Sequence, residues 1–418
     1  MLKKILPIIS WLPKYKSTNF RSDIQAGLTV GVMLIPQGMA YAMIAGLPVE
    51  YGLYAALFPQ IIYTLTGTSR QLAVGPVAMD SLLVTAGLSV IATIGSSSYI
   101  SLAILLAFMM GCILLFLGIM RAGVLVKIIT KPVISGFTSA AAIIIAANQI
   151  SNLSGIPIER NNQIQNIVLE GLNLINHFNR PTIIIGLVSV AIIGIMSRFK
   201  TKIKLPSALI TVVLGIFFVK LLGLSTAGVK IVGDIPAGLP SFKIPNFDNT
   251  LKLLPIAMTL ALVAFMEAYS VSKALSEKHG YEIDPNQELR ALGVANIIGS
   301  FFQSYPTTGG FSRTAVNDQA GASTPLSSLF AASLIALTLL FFTPIFYHLP
   351  LAVLAAIIIT AVLNLFDAKL PIKLWNNNKI ESLLLITTFC ATLLVGMVEG
   401  ISLGILLSII HIIYKRNS

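Results

Sequence analysis

The run Leu72-Ala73-Val74-Gly75-Pro76-Val77-Ala78-Met79-Asp80 is apolar but broken by Gly-Pro, and a similar break recurs at Tyr305-Pro306-Thr307-Thr308-Gly309-Gly310-Phe311-Ser312-Arg313. Each reads as a short extended stretch followed by a half-helix, since Pro suits a first helical turn and Ser an N-cap. A helix that starts in mid-span leaves free N–H donors and roughly half a positive charge at its first turn. Two such starts aimed at one point favour an anion. The fold therefore turns on whether these breaks lie in a membrane and face each other.

Composition answers the first part. The chain has 418 residues, 56% hydrophobic and only 11% charged, against about a quarter charged in soluble domains. Apolar runs such as Ser101 to Met120 and Leu351 to Leu365 recur along it, so most of it is expected in a lipid bilayer, as an all-α polytopic membrane protein. Met1 to Asp23 carries Lys3, Lys4, Lys14, Lys16 and Arg21 with two prolines and no small-residue cleavage site. It reads as a cytoplasmic lead-in and not a signal peptide. Cys112 and Cys390 sit in apolar runs, which implies neither a disulfide framework nor a metal site. The net charge of +12 is, in such a protein, a matter of where the charges lie. No nucleic acid partner and no cofactor is expected.

Apolar runs and their Gly, Pro and charged punctuation give fourteen candidate segments, starting near Ile24, Tyr51, Leu72, Tyr99, Lys131, Pro181, Pro206, Leu254, Gln287, Thr307, Pro325, Leu351, Glu381 and Gly400. Threading them from a cytoplasmic N-terminus leaves Arg70, Arg121, Lys127, Lys131, the Arg198-Lys200-Lys202-Lys204 cluster, Lys273, Lys278, Arg290, Lys369, Lys373, Lys379, Lys415 and Arg416 inside. Arg160, Arg180, Lys220, Lys230, Lys243 and Lys252 fall outside, and the asymmetry satisfies the positive-inside rule for an inner membrane with both termini cytoplasmic. A polar interruption from Ala227 to Leu251 divides the segments into two sets of seven. An odd number per set inverts the second relative to the first, and inverted repeats place their site at the repeat interface between broken helices. The two breaks are the third segment of each set.

Arg313 is the basic residue this topology leaves inside the membrane, which makes it a functional candidate by default. Beside the positive start of a helix it makes sense where a negative ligand or a carboxylate visits; structural pairing with Glu267 or Asp318 is the alternative. Glu267, in Leu-Val-Ala-Phe-Met-Glu-Ala-Tyr, lies deep in the Leu254 segment, where loss of water favours the protonated carboxyl and suits a proton carrier. Asp80, in the first turn of the first half-helix, is a second cation-coupling candidate or ordinary dipole compensation. In the first span Pro36 should kink or unwind the helix. Gln37 and Tyr41, four apart, share one face past that break and offer donors to an oxyanion.

The stretch Leu34-Ile35-Pro36-Gln37-Gly38-Met39-Ala40-Tyr41-Ala42, with Leu72-Ala73-Val74-Gly75-Pro76 and Gly310-Phe311-Ser312-Arg313-Thr314-Ala315-Val316-Asn317, resembles the sulfate permease (SulP) family over nearly the whole chain, from about Ile5 to the last span. The resemblance implies a seven-plus-seven inverted repeat of the nucleobase-transporter type, with an anion-carrying core domain, a gate domain and elevator-like alternating access. On the spans above, 1–23 is the lead-in, 24–123 and 254–349 are the two parts of the core, and 124–253 and 350–418 those of the gate. The motifs imply a substrate site of Gln37, Tyr41, Gly75, Pro76, Val77, Phe311, Ser312 and Arg313, with Glu267 matching the family's acidic residue for cation coupling. The implied partners are a small inorganic or organic anion, a proton or sodium as coupling ion, lipid, and a second copy in a homodimer.

Family members usually continue into a cytoplasmic STAS domain, whereas this sequence stops at Lys415-Arg416-Asn417-Ser418, which leaves dimerisation and regulation through that domain open. Val77 stands where some relatives carry an aromatic. A nucleobase transporter of similar fold is the nearest rival; such proteins resemble a two-carboxylate design, and Ser312-Arg313 argues for an anion instead. An uncoupled exchanger or anion channel on the same scaffold is the second rival, separable by flux stoichiometry. His177, His279, His348 and His411 are scattered, with no ligand spacing and no nucleophile motif, so no enzyme activity is expected.

Overall fold

A computed structural model describes residues 6–123, 130–159, 161, 163–198, 207–363 and 366–417, with only the backbone at 14, 175, 197, 198 and 412–417. Lys3, Lys4, Lys127, Arg160, Lys200, Lys202, Lys204 and the expected segment start at Pro206 lie outside the described residues, as do the side chains of Lys14, Arg198, Lys415 and Arg416. The fold is helical, and the chain divides into two compact units, Met1–Val126 with Ile235–Pro344, and Lys127–Asp234 with Ile345–Ser418.

The chain enters the first unit through a helical turn at Ile8–Trp11. There follow α1 (Ser17–Ile44), α2 (Val49–Ala55), α3 (Phe58–Thr66), the two-residue strand β1 (Val74–Gly75), α4 (Ala78–Leu88) and α5 (Ser97–Ile119). The second unit takes α6 (Lys131–Asn148), α7 (Ile150–Ser154), α8 (Ile164–Asn173), α9 (Arg180–Arg198) and α10 (Ser207–Leu221). The chain returns to the first with α11 (Thr250–Lys278), α12 (Pro285–Phe301), β2 (Thr308–Gly309), α13 (Phe311–Gln319) and α14 (Leu326–Leu337). It ends in the second with α15 (Leu351–Leu363), α16 (Lys369–Asn377), α17 (Lys379–Leu394) and α18 (Met397–Asn417). Among the described residues, five helices are long and apolar enough to cross a membrane: Ser17–Ile44, Ser97–Ile119, Lys131–Ser154, Thr250–Lys278 and Leu326–Phe346. Many other apolar helices are shorter, as segments that stop inside a bundle must be.

Within the first unit α5 packs on α12, α1 on α14, and α11 against α5, α4 and β2. Small residues permit the closest approaches. A Cβ at Gly52 would meet the Gly38 carbonyl oxygen at 1.9 Å, so the α1–α2 contact exists only because both are glycine. Asp23 fastens the start of α1 to the loop before α14, accepting from Ser323 N, Thr324 N and Thr324 Oγ1. In the second unit α17 packs on α6 and α18, and α9 on α15.

At two places the structure adds to the sequence expectations: the helix is not unwound at Pro36, and residues 235–253 belong with the first unit. α1 runs unbroken through Pro36, although Pro removes the donor that would bond the Val32 carbonyl; burial from Leu34 to Ile44 on its neighbours holds it helical. Residues 235–253, assigned above to the gate, join the first unit. Lys243 N bonds Phe301 O at 2.8 Å, Gln303 Nε2 bonds Ser241 O at 3.1 Å, and the Phe242 ring stacks on Phe301.

Candidate functional site

The first unit brings the two broken segments together. β1 pairs antiparallel with β2, in the register Val74 with Gly309 and Gly75 with Thr308. The pair satisfies backbone groups where neither segment is helical, which buried polar backbone demands. Each strand runs directly into a helix, α4 from its N-cap Val77 and α13 from its N-cap Gly310. Neither N-cap residue has a side-chain acceptor, and no side-chain cap bond is formed at either start. The first-turn N–H groups of both helices are thus left for another acceptor.

Arg313, three residues into α13, is 2% exposed. Its Nη1 donates to Pro76 O at 2.6 Å, across the strand pair, while Nε and Nη2 are buried without a partner. A Cβ at Gly310 would stand 2.9 Å from Nη2 and one at Gly75 3.4 Å from it, so both glycines lie under the guanidinium. Among the described residues no carboxylate lies within ion-pairing distance of Arg313; Asp318 is engaged instead by Lys278 and His279.

Gln37 and Tyr41 are buried on α1, with Gln37 Oε1 unpartnered. Arg313 lies within electrostatic reach of Tyr41, Glu267 and Tyr305, and Tyr41 within reach of Glu267 and Tyr305. Glu267, 9% exposed, has an unpartnered Oε2, and Asp80, fully buried in the first turn of α4, has neither oxygen bonded. Val77 is buried against Gly310, whereas Phe311 and Ser312 are exposed, Phe311 by 38%. Six of the eight candidate binding residues are therefore buried, and the remaining two, at the start of α13, are exposed.

The chain as a whole is similar to known proteins. The sulfate permease family model covers residues 20–388 of the chain. The chain belongs to the sulfate permease family. It is 41% identical to sulfate transporter 4.1, chloroplastic, of Arabidopsis thaliana over 98% of its own length and 61% of that protein's. Over 99% of its length, and 73% of the relative's, it is 37% identical to a sodium-independent sulfate anion transporter of Bos taurus. The chain thus spans about three fifths of the plant relative. A solved structure of murine solute carrier 26 family member A9, an anion transporter in the inward-facing state, superposes with a TM-score of 0.92 at 28% identity, covering 99% of this chain and 72% of that one. These relatives are named as transporters, not enzymes, and the chain is a multi-pass membrane protein of their fold.

In this permease-family chain several residues that the sequence analysis passed over hold the site in shape. Asn296 of α12 clamps Thr307 by accepting from its N at 2.9 Å and donating to its O at 2.9 Å. Thr308 Oγ1 donates to Ala264 O at 2.6 Å and so fixes β2 to α11 three residues before Glu267. Thr314 Oγ1 accepts from Ala73 N, and Asn317 Nδ2 donates to Gln71 O at 2.8 Å and Ser327 Oγ at 3.0 Å. Ser81 and Tyr305 share a hydroxyl bond of 3.1 Å. Asn296, Ser81 and Tyr305 are polar groups within apolar segments, and that signal was available in the sequence. His279, one of the scattered histidines, joins Lys278 in binding Asp318 at the end of α13.

Proposed function

We propose that this chain is a proton-coupled secondary transporter of small oxyanions, with sulfate as the first substrate to test. The observation that carries the reading is the buried Arg313 beside two uncapped helix starts. Two of its nitrogens and the first-turn N–H groups have no partner, and donors left so in a buried place call for an acceptor. An oxyanion supplies several acceptor oxygens and negative charge together. Sulfate is the anion in the names of the plant and bovine relatives.

In this proposal Gly75, Pro76, Val77, Ser312 and Phe311 form the walls around Arg313, and Gln37 and Tyr41 face the anion from α1. Glu267 takes up the coupling proton: the helix starts supply roughly +1 and Arg313 another, so a divalent anion binds best with Glu267 neutral. By reciprocal linkage the bound anion then favours protonation of Glu267. Sodium is the competing coupling ion, and the sodium-independent name of the bovine relative favours the proton. The proposed framework is a seven-plus-seven inverted repeat of fourteen segments, working by an elevator-like cycle as a homodimer in an inner membrane with cytoplasmic termini.

The test is uptake of labelled sulfate into proteoliposomes under separate inward proton and sodium gradients, with bicarbonate, chloride, nitrate, dicarboxylates and uracil as competitors. Proton-driven uptake, weakened or lost in Glu267→Gln while sulfate exchange persists, is the expected result. Uptake that ignores the proton gradient, or competition by uracil rather than anions, would overturn the proposal.

A further inference from the structure

Asp80 stands apart from the hydrogen-bonded carboxylates of the first unit. It is fully buried, and neither oxygen has a hydrogen-bond partner. By contrast the buried carboxylate of Glu288 accepts from Tyr63 Oη, Thr68 N and Thr68 Oγ1. Asp23 accepts from Tyr15 and from Ser323 and Thr324. Asp80 also declines the bonds nearest to it: it lies in the first turn of α4, where free N–H groups are available, yet takes none.

Its surroundings limit what it can do. α4 packs against α1, α5 and α11. α11 presents Glu267, with which Asp80 interacts electrostatically, and the segment before β2 presents Tyr305, bonded to Ser81. α1 brings Tyr41, its Asp23 being held at the far end. Ser97–Ile119 of α5 contains no Asp, Glu, Lys, Arg or His, and its Tyr99 hydroxyl donates to Ala45 O. The other charges of α11, Lys252, Lys273, Glu277 and Lys278, sit toward its ends. Arg313 is the cation within electrostatic reach of Glu267, and its bonded nitrogen is committed to Pro76 O. Asp80 thus shares its burial with one other carboxyl that is also incompletely bonded.

Charge balance then decides how many protons the pair handles. The two helix starts and Arg313 together amount to roughly +2. A buried charge without compensation is strongly disfavoured, and two states of the site cancel this one. In the loaded state a divalent oxyanion is present and both carboxyls are protonated. In the empty state no anion is present and both are ionised. If Glu267 alone titrated and Asp80 stayed neutral, the empty site would keep about one uncompensated positive charge. From the burial and missing partners of Asp80, its place beside Glu267 and this balance, we infer that Asp80 is a second proton site and that one divalent oxyanion travels with two protons. The atoms balance as one dianion and two protons entering together, with no net charge moved.

This inference rests on the transport reading above, and the experiment separates the two. Proteoliposomes are loaded by an inward pH gradient of about one unit, with membrane potential set by potassium and valinomycin, and the steady accumulation of labelled sulfate is read. Two protons per dianion give a limit of about 100-fold that does not move with potential, and one proton gives about 10-fold that does. The wild-type protein should follow the first pattern and Asp80→Asn the second. A wild type that accumulates about 10-fold with potential dependence, or an Asp80→Asn protein indistinguishable from wild type, overturns the second site and leaves single-proton coupling standing. A wild type that ignores the pH gradient, or follows only sodium, overturns both readings. If Asp80→Asn fails to fold, the wild-type measurement decides alone.

Discussion

The starts of α4 and α13 are built to one plan and furnished with opposite chemistry. Each follows a two-residue strand, each lacks a side-chain cap bond, and each carries one charged side chain three residues in: Asp80 on α4, Arg313 on α13. The second segment, however, grips the first. Arg313, Thr314 and Asn317 all bond backbone atoms between Gln71 and Pro76. The first returns fewer such bonds, among them Gln71 Nε2 to Ala322 O and the Ser81–Tyr305 hydroxyl pair. The α13 segment therefore supplies both the integer positive charge and most of the rigidity, while the α4 segment supplies a held backbone and a carboxyl. Equivalent positions in paired segments need not share a task, because only one partner has to be fixed by the other.

The comparison breaks first at the charge. Arg313→Ala removes the charge-assisted contact but leaves both helix starts, so sulfate binding should weaken by about 2 kcal/mol, roughly 30-fold. Calorimetric titration of the purified, folded variant checks this, and unchanged affinity would show that the helix starts alone hold the anion.

The grip comes next. Asn317→Ala leaves the Gln71 carbonyl and Ser327 hydroxyl short of a donor in a buried place, which costs about 1–2 kcal/mol. Ser81→Ala removes one hydroxyl bond of the other segment and should cost about half of that. Melting temperatures of the two detergent-solubilised variants measure the difference, and equal losses would erase the asymmetry argued here.

The smallest effect tests the glycines. A Cβ at Gly310 would sit 2.9 Å from Arg313 Nη2 and one at Gly75 3.4 Å from it. Gly310→Ala must displace the guanidinium and should lower sulfate affinity several-fold, by under about 1 kcal/mol, whereas Gly75→Ala should change it less. The reverse order in the same titration would place the guanidinium closer to the first segment than the second.

The sequence by itself determined a helical membrane protein, because transfer of apolar residues from water is a local, additive property that composition and run length report. It also marked the Gly-Pro and Gly-Gly breaks, since proline and glycine act on their own backbone, and it singled out Arg313 and Glu267, because a charge inside an apolar run stands out without any knowledge of its neighbours. It did not show that α1 stays helical through Pro36, where burial offsets the local cost, or that residues 235–253 join the first unit, where aromatic and backbone contacts to Phe301 outweigh the polar composition of the connection. Partners were beyond its reach. Arg313 and Pro76 are 237 residues apart, and Asn317 and Gln71 are 246 apart. Asp80 is an ordinary first-turn acid until its oxygens are found without donors beside Glu267. Only the tertiary structure decides such matters, because hydrogen bonding and charge compensation depend on which groups meet in space, and no pattern along one segment encodes the segment that will face it.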